Sequence, residues 1–238
     1  DKYNDILDKM NSKLTEKKNF DYRPLTDEQK EAMKDKDIEL WEEKSKSGLL
    51  RNDHILQNIV YSLRRALTTK VEGVDLSLSE IGITTGPWYE NGKLYINESK
   101  LKEALSKKGD QIMNLFTQPY EKSYSPDLSQ TERQSRFENA GIMWRISDIL
   151  DDNIRTTRDK NNNKGALLEK AGIKGDATEF KNILDYQIKY MDDRIDSMIE
   201  TLFQREEYYW GQFTAMEKAI EQMNSQSMWL SQQLGMGK

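Results

Sequence analysis

The side chains that could carry out catalysis are few in this sequence and do not form a known catalytic set. The 238 residues contain one histidine, His54, and no cysteine. The sequence therefore has almost no residues from which a Ser–His or Cys–His nucleophile pair or a His/Cys metal site could be built. Neither the G-x-G-x-x-G nor the G-x-x-x-x-G-K-S/T phosphate-binding motif occurs. We predict no catalytic residue and no cofactor, and we interpret His54 as a surface residue in the first turn of a helix capped by Asp53.

One segment resembles the beginning of a calcium-binding EF-hand loop. Residues 159–163 read Asp-Lys-Asn-Asn-Asn, but Lys164 stands where the motif needs glycine and Lys170 where it needs a bidentate glutamate. We therefore predict a solvated loop and no metal site. Carboxylate pairs, which could in principle act in acid–base catalysis, occur at Asp151-Asp152, Asp192-Asp193 and Glu206-Glu207. Each pair lies beside basic residues on a predicted helix, so we interpret each as part of a solvated charged face.

The overall composition excludes several classes of partner. The net charge is −5, from 36 basic and 41 acidic residues spread along the chain, so the sequence has no basic stripe for nucleic acid. Mean hydropathy is −0.89, and no apolar run approaches the roughly 18 residues of a membrane span. Hydrophobic residues make up 36%, which is typical of elongated helices that expose much of their surface. The absence of cysteine suits a protein that leaves the cell without a folding oxidant.

The predicted fold is mainly α: an elongated helical bundle or coiled coil with one small β-hairpin and a long C-terminal helix. An amphipathic helix that runs to about Lys18 is indicated by apolar residues spaced four and three apart, namely Tyr3, Leu7, Met10 and Leu14. After Pro24, a capping box of Thr26 and Gln29 begins a short helix. Asp53 caps the next long helix, which has a broad apolar face.

The hydrophobic period changes further along the chain. A β-hairpin is predicted around residues 81–96, where Asn91-Gly92 precedes the second strand-like run. The other expected elements are a helix from Asn97 to Gly109, a loop over residues 117–134, a helix from about Phe137 and a short helix over residues 166–171 that ends at Gly172.

The longest predicted element is a helix from Thr178 to Leu234, about 85 Å if it is continuous. One face carries a column of apolar residues at heptad spacing: Ile188, Ile195, Leu202, Tyr209, Met216, Met223 and Leu230. Leu184, Met191 and Met198 complete an a/d seam in the first half. Beyond Arg205 this second column fails, and Phe213, Ile220 and Leu234 replace it on the other side of the first column. Such a stutter locally straightens a supercoil and marks a change of partner.

The second half of this helix has the composition of an assembly interface. Aromatic and methionine residues also lie off the main column, and the remaining faces carry Gln and Ser rather than Lys and Glu. An intrachain core would explain one column alone, whereas this pattern is suited to packing among many neighbours, with methionine supplying adaptable contacts. We predict assembly contacts at Tyr209, Phe213, Met216, Ile220, Met223, Trp229 and Leu230.

A set of short segments, in a fixed order, spans the chain nearly end to end. They are Tyr3-Asn-Asp-Ile-Leu, Pro24-Leu-Thr-Asp-Glu-Gln-Lys, Ile38-Glu-Leu-Trp-Glu-Glu-Lys, Gly48-Leu-Leu-Arg, Leu78-Ser-Glu-Ile-Gly-Ile-Thr-Thr, Gly92-Lys-Leu-Tyr-Ile-Asn-Glu, Leu115-Phe-Thr, Gly165-Ala-Leu, Tyr208-Tyr-Trp-Gly-Gln-Phe-Thr-Ala-Met-Glu-Lys-Ala and Gln222-Met-Asn-Ser-Gln-Ser. This ordered set resembles the C-terminal part of the filament cap proteins of bacterial flagella, the hook-associated protein 2 family. The N-terminal helical segment and most of the β-rich head of that family have no counterpart here.

The resemblance implies a structural protein rather than an enzyme. It implies a homo-oligomeric cap, often a pentamer though the number varies, at the distal end of the flagellar filament, where exported flagellin is guided into place and kept from being lost. The implied partners are further copies of the chain, flagellin, hook–filament junction proteins and, before secretion, an export chaperone. The implied location is extracellular, at the flagellum tip, after export through the flagellar type III channel.

The same resemblance divides the chain into two parts. Residues 1–204 are expected to form a helical body, which includes the hairpin and the first half of the long helix from residue 178. Residues 205–238 are expected to form a terminal leg helix that meets the filament end. Within the body we expect one intrachain coiled coil, formed by Tyr3, Leu7, Met10 and Leu14 with Leu184, Ile188, Met191, Ile195, Met198 and Leu202.

Other functions are compatible with parts of this pattern. A hook–filament junction protein or another flagellar axial subunit shares the logic of terminal helices, but would lack the Pro24 and Gly92 segments. A secreted adhesin is a further alternative, although that role would lie mainly in the missing head. A cytosolic coiled-coil scaffold would stay in the cell, so fractionation separates it from the others, and repeatable substrate turnover would indicate an enzyme.

Overall fold

The computed structural model describes residues 1–235, except the side chain of Trp88, and the chain divides into two compact units, Asp1–Gly172 and Ile173–Lys238. The first unit contains α1 (Lys2–Thr15), α2 (Asp27–Glu31), α3 (Asp35–Lys46), α4 (His54–Thr68), β1 (Ile83–Thr85), β2 (Leu94–Ile96), α5 (Glu98–Thr117), α6 (Gln130–Asn139), α7 (Ile142–Ile154) and α8 (Ala166–Ala171). The second contains α9 (Ile183–Gly235). The predicted class, mainly helical with one two-stranded hairpin and a long C-terminal helix, is confirmed.

The larger core of the first unit lies under a segment without regular secondary structure. It consists of Val71, Val74, Leu76, Leu78, Ile81, Ile112, Leu115 and Ile142. The first five belong to the connection between α4 and β1, and the others belong to α5 and α7. Each such side chain contributes about 1.5–3 kcal/mol when it is fully buried. The path of this connection is therefore set by the two helices on which it packs.

A second core joins α1 to α4. Leu7 and Leu14, one heptad apart on α1, are buried together with Val60 of α4, and Tyr3, Met10 and Leu56 pack around them. The predicted apolar face of α1 is thus its buried face, with α4 as a partner, and α1 ends at Thr15 rather than near Lys18. The predicted coiled coil of this face with residues 184–202 stays a prediction.

The two ends of the segment between α1 and α4 lie side by side and are joined by hydrogen bonds. Ser47 Oγ donates a hydrogen bond to the Lys17 carbonyl at 2.6 Å, and the Gly48 N–H donates to the Glu16 carboxylate at 2.9 Å. Gly48 has a φ of 72°, and a Cβ on it would lie 2.6 Å from the Lys18 nitrogen. Glycine is required here both for the left-handed backbone and for the close approach of the two chain segments.

The predicted hairpin is present, but its loop is longer than the two-residue turn that the Asn91-Gly92 pair indicates. Ile83 lies opposite Ile96, and Thr85 opposite Leu94. Asn91 and Gly92 have positive φ values of 55° and 94°, as a type I′ turn requires. They follow a 3₁₀ turn at Trp88–Glu90, however, so the Asn-Gly turn closes one end of the loop instead of joining the strands directly.

Two helix boundaries differ from the predicted ones. Gly109 does not end α5, because only Lys108 departs from helical geometry (φ −135°, ψ 35°) and the helix continues as a kinked element to Thr117. The long C-terminal helix begins at Ile183, not at Thr178, which lies in a 3₁₀ turn capped by Asp176. From Ile183 the helix is continuous for 53 residues, or about 80 Å at 1.5 Å per residue.

The region from 117 to 154 also differs from prediction. The predicted loop over residues 117–134 overlaps the start of α6, because Ser129 and Glu132 form a capping box. The helix predicted from Phe137 is split at Gly141 into α6 and α7. A Cβ on Gly141 would lie 2.7 Å from the backbone of Phe116, so this position is a close approach of two chain segments and not part of a helix.

Candidate assembly surface

α9 presents a long apolar stripe that is open to solvent. None of its residues is buried, and the predicted coiled-coil residues on it, Leu184, Ile188, Met191, Ile195, Met198 and Leu202, are all exposed. The predicted assembly residues are 52–68% exposed: Tyr209, Phe213, Met216, Ile220, Met223, Trp229 and Leu230. Exposed apolar area on this scale is typical of an interaction surface.

Near Arg205 the second apolar column, which flanks the first, moves to the other side of it. This change of flank keeps the apolar stripe on one side of the helix. In a straight α-helix, residues seven apart drift by about 20° per heptad, so the column from Ile188 to Leu230 winds by about 120°. In the first half the flanking residues lie three positions after the column, and in the second half they lie four positions after it. This change moves the flank by about 100° against the drift, because successive residues are about 100° apart. A straight partner can therefore follow the stripe over most of its length.

The apolar surface widens near the middle of α9. Phe203 and Trp210, seven residues apart, form a short second column about 100° round from Leu202 and Tyr209, and they are 61% and 66% exposed. Tyr208 lies on a third side, with its ring centroid 5.7 Å from that of Tyr209. A helix that is apolar over so much of its circumference is typical of one with neighbours on several sides.

Charge is distributed unevenly along α9. The first turns carry an ion pair between Lys189 and Asp185 at 3.1 Å, whereas residues 222–237 include no charged side chain. Neutral Gln, Asn and Ser side chains cost less to remove from water than ions do. The last quarter of the described helix is therefore the part that a partner can cover at the lowest desolvation cost.

The first unit contains a partly buried ionic network that the sequence analysis missed. Arg136 on α6 donates two hydrogen bonds to the Asp148 carboxylate on α7, at 2.6 and 2.9 Å, and Arg133 donates to Asp152 at 2.8 and 2.9 Å. Asp152 also accepts from the Tyr124 hydroxyl at 2.7 Å, so this aspartate, whose side chain is 39% exposed, belongs to a hydrogen-bonded network as well as to the predicted charged face. Burial, followed by the interaction with Asp152, raises the pKa of Tyr124 to about 12.

A buried arginine completes this unit. Arg145 is 1% exposed and donates hydrogen bonds to the carbonyl oxygens of Ala66, Thr69, Lys70 and Glu138. Carbonyls at a helix C-terminus lack partners within the helix, so Arg145 caps the end of α4 from a different helix. Burial, reinforced by the charge of Arg65, lowers the pKa of Arg145 to about 10. The only sequence signal was the single basic residue of α7, which stands between apolar residues.

Asp159, which begins the segment that resembles an EF-hand loop, and Asp53, the predicted helix cap, have structural roles. The Asp159 carboxylate accepts hydrogen bonds from the N–H groups of Asn161 and Asn163 at 2.9 and 2.7 Å, and Asp53 caps α4 through the N–H groups of Ile55 and Leu56. Within residues 1–235 there is no group of three or more His, Asp or Glu side chains that could hold a metal ion. The helices of the described part of the chain include none that is long and apolar enough to span a membrane.

Comparison with known proteins identifies a family. A family model described as the C-terminus of flagellar hook-associated protein 2 matches residues 1–225. The flagellar hook-associated protein 2 of Halalkalibacterium halodurans is 33% identical over 239 residues, which cover 98% of this chain and 43% of that protein. The same protein of Thermotoga maritima is 30% identical over 241 residues, covering 98% of this chain and 32% of that protein. This chain thus spans less than half the length of these relatives.

A solved structure is also similar in part. The crystal structure of the D1-D2-D3 domains of the flagellar cap protein FliD from Escherichia coli aligns with a TM-score of 0.36 and 22% sequence identity. The alignment covers 63% of this chain and 29% of that chain.

Proposed function

Because the chain belongs to the flagellar hook-associated protein 2 family, we propose that it forms part of a cap at the distal end of the bacterial flagellar filament. The cap promotes and guides the polymerisation of flagellin and prevents its loss, which is a structural role and not an enzymatic one. The observation that supports this most is the exposed apolar stripe of α9. A helix of 53 residues with no buried side chain requires partners to cover its stripe.

In this proposal residues 205–238 are the leg that meets the filament, and residues 1–204 are the body. Two features of α9 support the division: the change of flank near Arg205 and the absence of charge after Glu221 until Lys238. The leg packs among flagellin helices at the growing tip through its apolar stripe. Methionine side chains such as Met216 and Met223 are unbranched and flexible, so their contacts can break and form again as the cap moves.

The partners in this proposal follow from the same role. They are further copies of this chain in a homo-oligomer, flagellin, the hook–filament junction proteins and an export chaperone before secretion. The location is extracellular, at the flagellum tip, after export by the flagellar type III apparatus. The neighbours on several sides that the surface around Trp210 requires would be these protein partners.

The test is made in cells that lack the gene. We expect monomeric flagellin in the culture medium together with stub filaments or none. Reintroduction of the full-length gene should restore normal filaments and stop the release of flagellin. Immunogold labelling of the restored protein is expected at the distal filament end. Normal filaments without leaked flagellin would overturn the cap function, and labelling at the junction between hook and filament would identify a junction protein instead.

A further inference from the structure

A cleft of the first unit combines aromatic rings with carboxylates. It has a volume of about 260 Å³ and is lined by α7 and by the loop that joins α5 to α6. Trp144, Asp148 and Asp151 line it from α7, and Tyr120 and Tyr124 line it from the loop. The two aspartates follow Trp144 by four and seven positions, so helical periodicity places all three residues on one side of α7.

Two rings of this cleft are held in place through their polar ends. The Trp144 indole N–H donates a hydrogen bond to the Thr117 carbonyl at 3.2 Å. The Tyr124 hydroxyl donates to Asp152 at 2.7 Å and accepts from Arg155 at 3.2 Å. Trp144 is nevertheless 46% exposed, so much of its ring is open to a ligand. Because these rings are already ordered, a ligand that packs on them loses little free energy in ordering side chains.

One carboxylate of the cleft lacks a positive partner. Asp148 is neutralised by Arg136, which also lines the cleft and donates to both oxygens of Asp148 at 2.6 and 2.9 Å. The Asp151 carboxylate is half-buried and accepts no hydrogen bond and forms no ion pair within residues 1–235. The lining therefore carries one uncompensated negative charge, next to aromatic rings.

Two basic residues in the surrounding segments bind other groups. Arg155, four positions after Asp151, donates to the Tyr124 hydroxyl and to two backbone carbonyls. Lys122 of the loop forms an ion pair with Glu132. A metal ion would find a single free carboxylate in this lining, which is too few ligands to hold it. An organic cation with an apolar part matches the lining better, because it can use the rings as well as the charge.

We propose that this cleft binds the side chain of an arginine from another polypeptide. Trp144 and Asp151 are about 10 Å apart along the helix axis at 1.5 Å per residue, so one long side chain can contact both. The methylene groups of the arginine pack on Trp144, and its planar guanidinium pairs with Asp151 and stacks on a tyrosine ring. Arginine and aromatic residues are enriched among those that dominate the binding energy of protein interfaces. This site is independent of the proposed role of α9.

The test follows the Trp144 indole N–H resonance of the ¹⁵N-labelled protein, which is identified by its absence from the Trp144→Phe variant. The probe is N-acetylargininamide, and the control compound is N-acetylcitrullinamide, which has nearly the same shape without the charge. Sodium chloride is adjusted to keep the ionic strength constant. We expect a saturable shift with the arginine compound and a much weaker response to the citrulline compound. The proposal is overturned if the arginine compound gives no saturable shift, or if both compounds bind equally well.

Two variants assign the binding to Asp151. Asp151→Asn is expected to weaken the affinity for N-acetylargininamide about fivefold, because it removes the free charge of the cleft with little change in shape. Since the Asp151 carboxylate has no partner in the described part of the chain, this variant should keep its fold, which near-ultraviolet circular dichroism checks. Asp110→Asn removes one negative charge from an exposed residue of α5 outside the cleft and should leave the affinity unchanged. Equal affinities of the two variants would overturn the proposal.

Discussion

Asn4 and Leu94, 90 positions apart in the chain, exchange two hydrogen bonds of 2.9 Å. The Asn4 side-chain amide donates to the Leu94 carbonyl, and the Leu94 N–H donates to the Asn4 amide oxygen. The side chain thereby occupies the place of a further strand at the outer edge of β2. This pairing protects an edge that would otherwise present unpaired backbone groups, and it attaches α1 to the hairpin.

Replacement of Asn4 by alanine is expected to destabilise the first unit by about 1–3 kcal/mol, because both backbone groups of Leu94 lose their partner. Urea unfolding measures this loss, and amide exchange at Leu94 should become faster. Asn11→Ala on the same helix is the matched control, since the Asn11 side chain makes no hydrogen bond among the described residues and gains the same helix propensity. Equal unfolding midpoints for the two variants would show that the exchange of hydrogen bonds contributes nothing.

The pair of Arg136 and Asp148 should behave as a buried ion pair. Their side chains are 6% and 20% exposed, so Asp148→Asn leaves a buried guanidinium without its counter-charge. We expect a loss of about 3 kcal/mol in the free energy of unfolding. Glu103→Gln breaks an exposed pair with Lys107 on one helix and should change stability little. A small effect of Asp148→Asn, similar to that of the control, would contradict the assignment.

Asp53 should make stability depend on acid pH. Burial tends to raise its pKa, but hydrogen bonds from the Leu56 and Ile55 N–H groups and the ammonium of Lys170 outweigh burial and hold the pKa below its usual 3.8. A carboxylate with a lowered folded pKa stabilises the fold above its unfolded pKa and loses this contribution as the pH falls through the folded pKa. The stabilisation should therefore be complete at neutral pH and disappear below pH 3.8.

Asp53→Asn isolates this effect, because asparagine retains the N-cap but not the charge. The protein should be more stable than Asp53→Asn at pH 7, and the difference should shrink to nothing as the pH falls below the folded pKa. Chemical unfolding over a pH series measures the difference, and Asp110→Asn on the exposed side of α5 controls for the loss of one negative charge. A difference that stays constant down to the lowest pH would refute the role of the Asp53 carboxylate.

The apolar stripe of α9 can be tested by placing charge on it. Met216→Asp combined with Met223→Asp puts two carboxylates in the stripe, where burial against a partner would desolvate them. We expect short filaments and flagellin in the medium. Because Met216 and Met223 are both exposed, the helical content of the isolated protein should not fall.

Thr214→Asp combined with Lys218→Gln is the matched control for this variant. Each position lies two residues from Met216, or about 200° round the helix, so the same change in net charge falls on the side of α9 away from the stripe. This control should assemble filaments nearly as well as the unmodified protein. Equal filament growth for both double variants would exclude the stripe as the assembly surface.

The sequence by itself determined those features that depend on residues within a few positions of one another. The cap at Asp53, the capping box of Thr26 and Gln29 and the glycine after α8 were all predicted and are present. The heptad stripe of α9 belongs to the same class, because helical periodicity alone places its residues on one side. Its assembly role remains a prediction, because the partner that would cover the stripe is another molecule.

Only the tertiary structure decided which distant residues meet. Arg145 reaches carbonyls at Thr69 and Lys70, more than 70 positions earlier, and Asn4 reaches Leu94. Gly141 interrupts a helical pattern because Phe116 passes too close for a side chain. Local sequence propensities cannot predict these contacts, because each polar group could form its hydrogen bonds equally well with water. Only when the apolar core packs and excludes water do the other protein groups become the remaining partners.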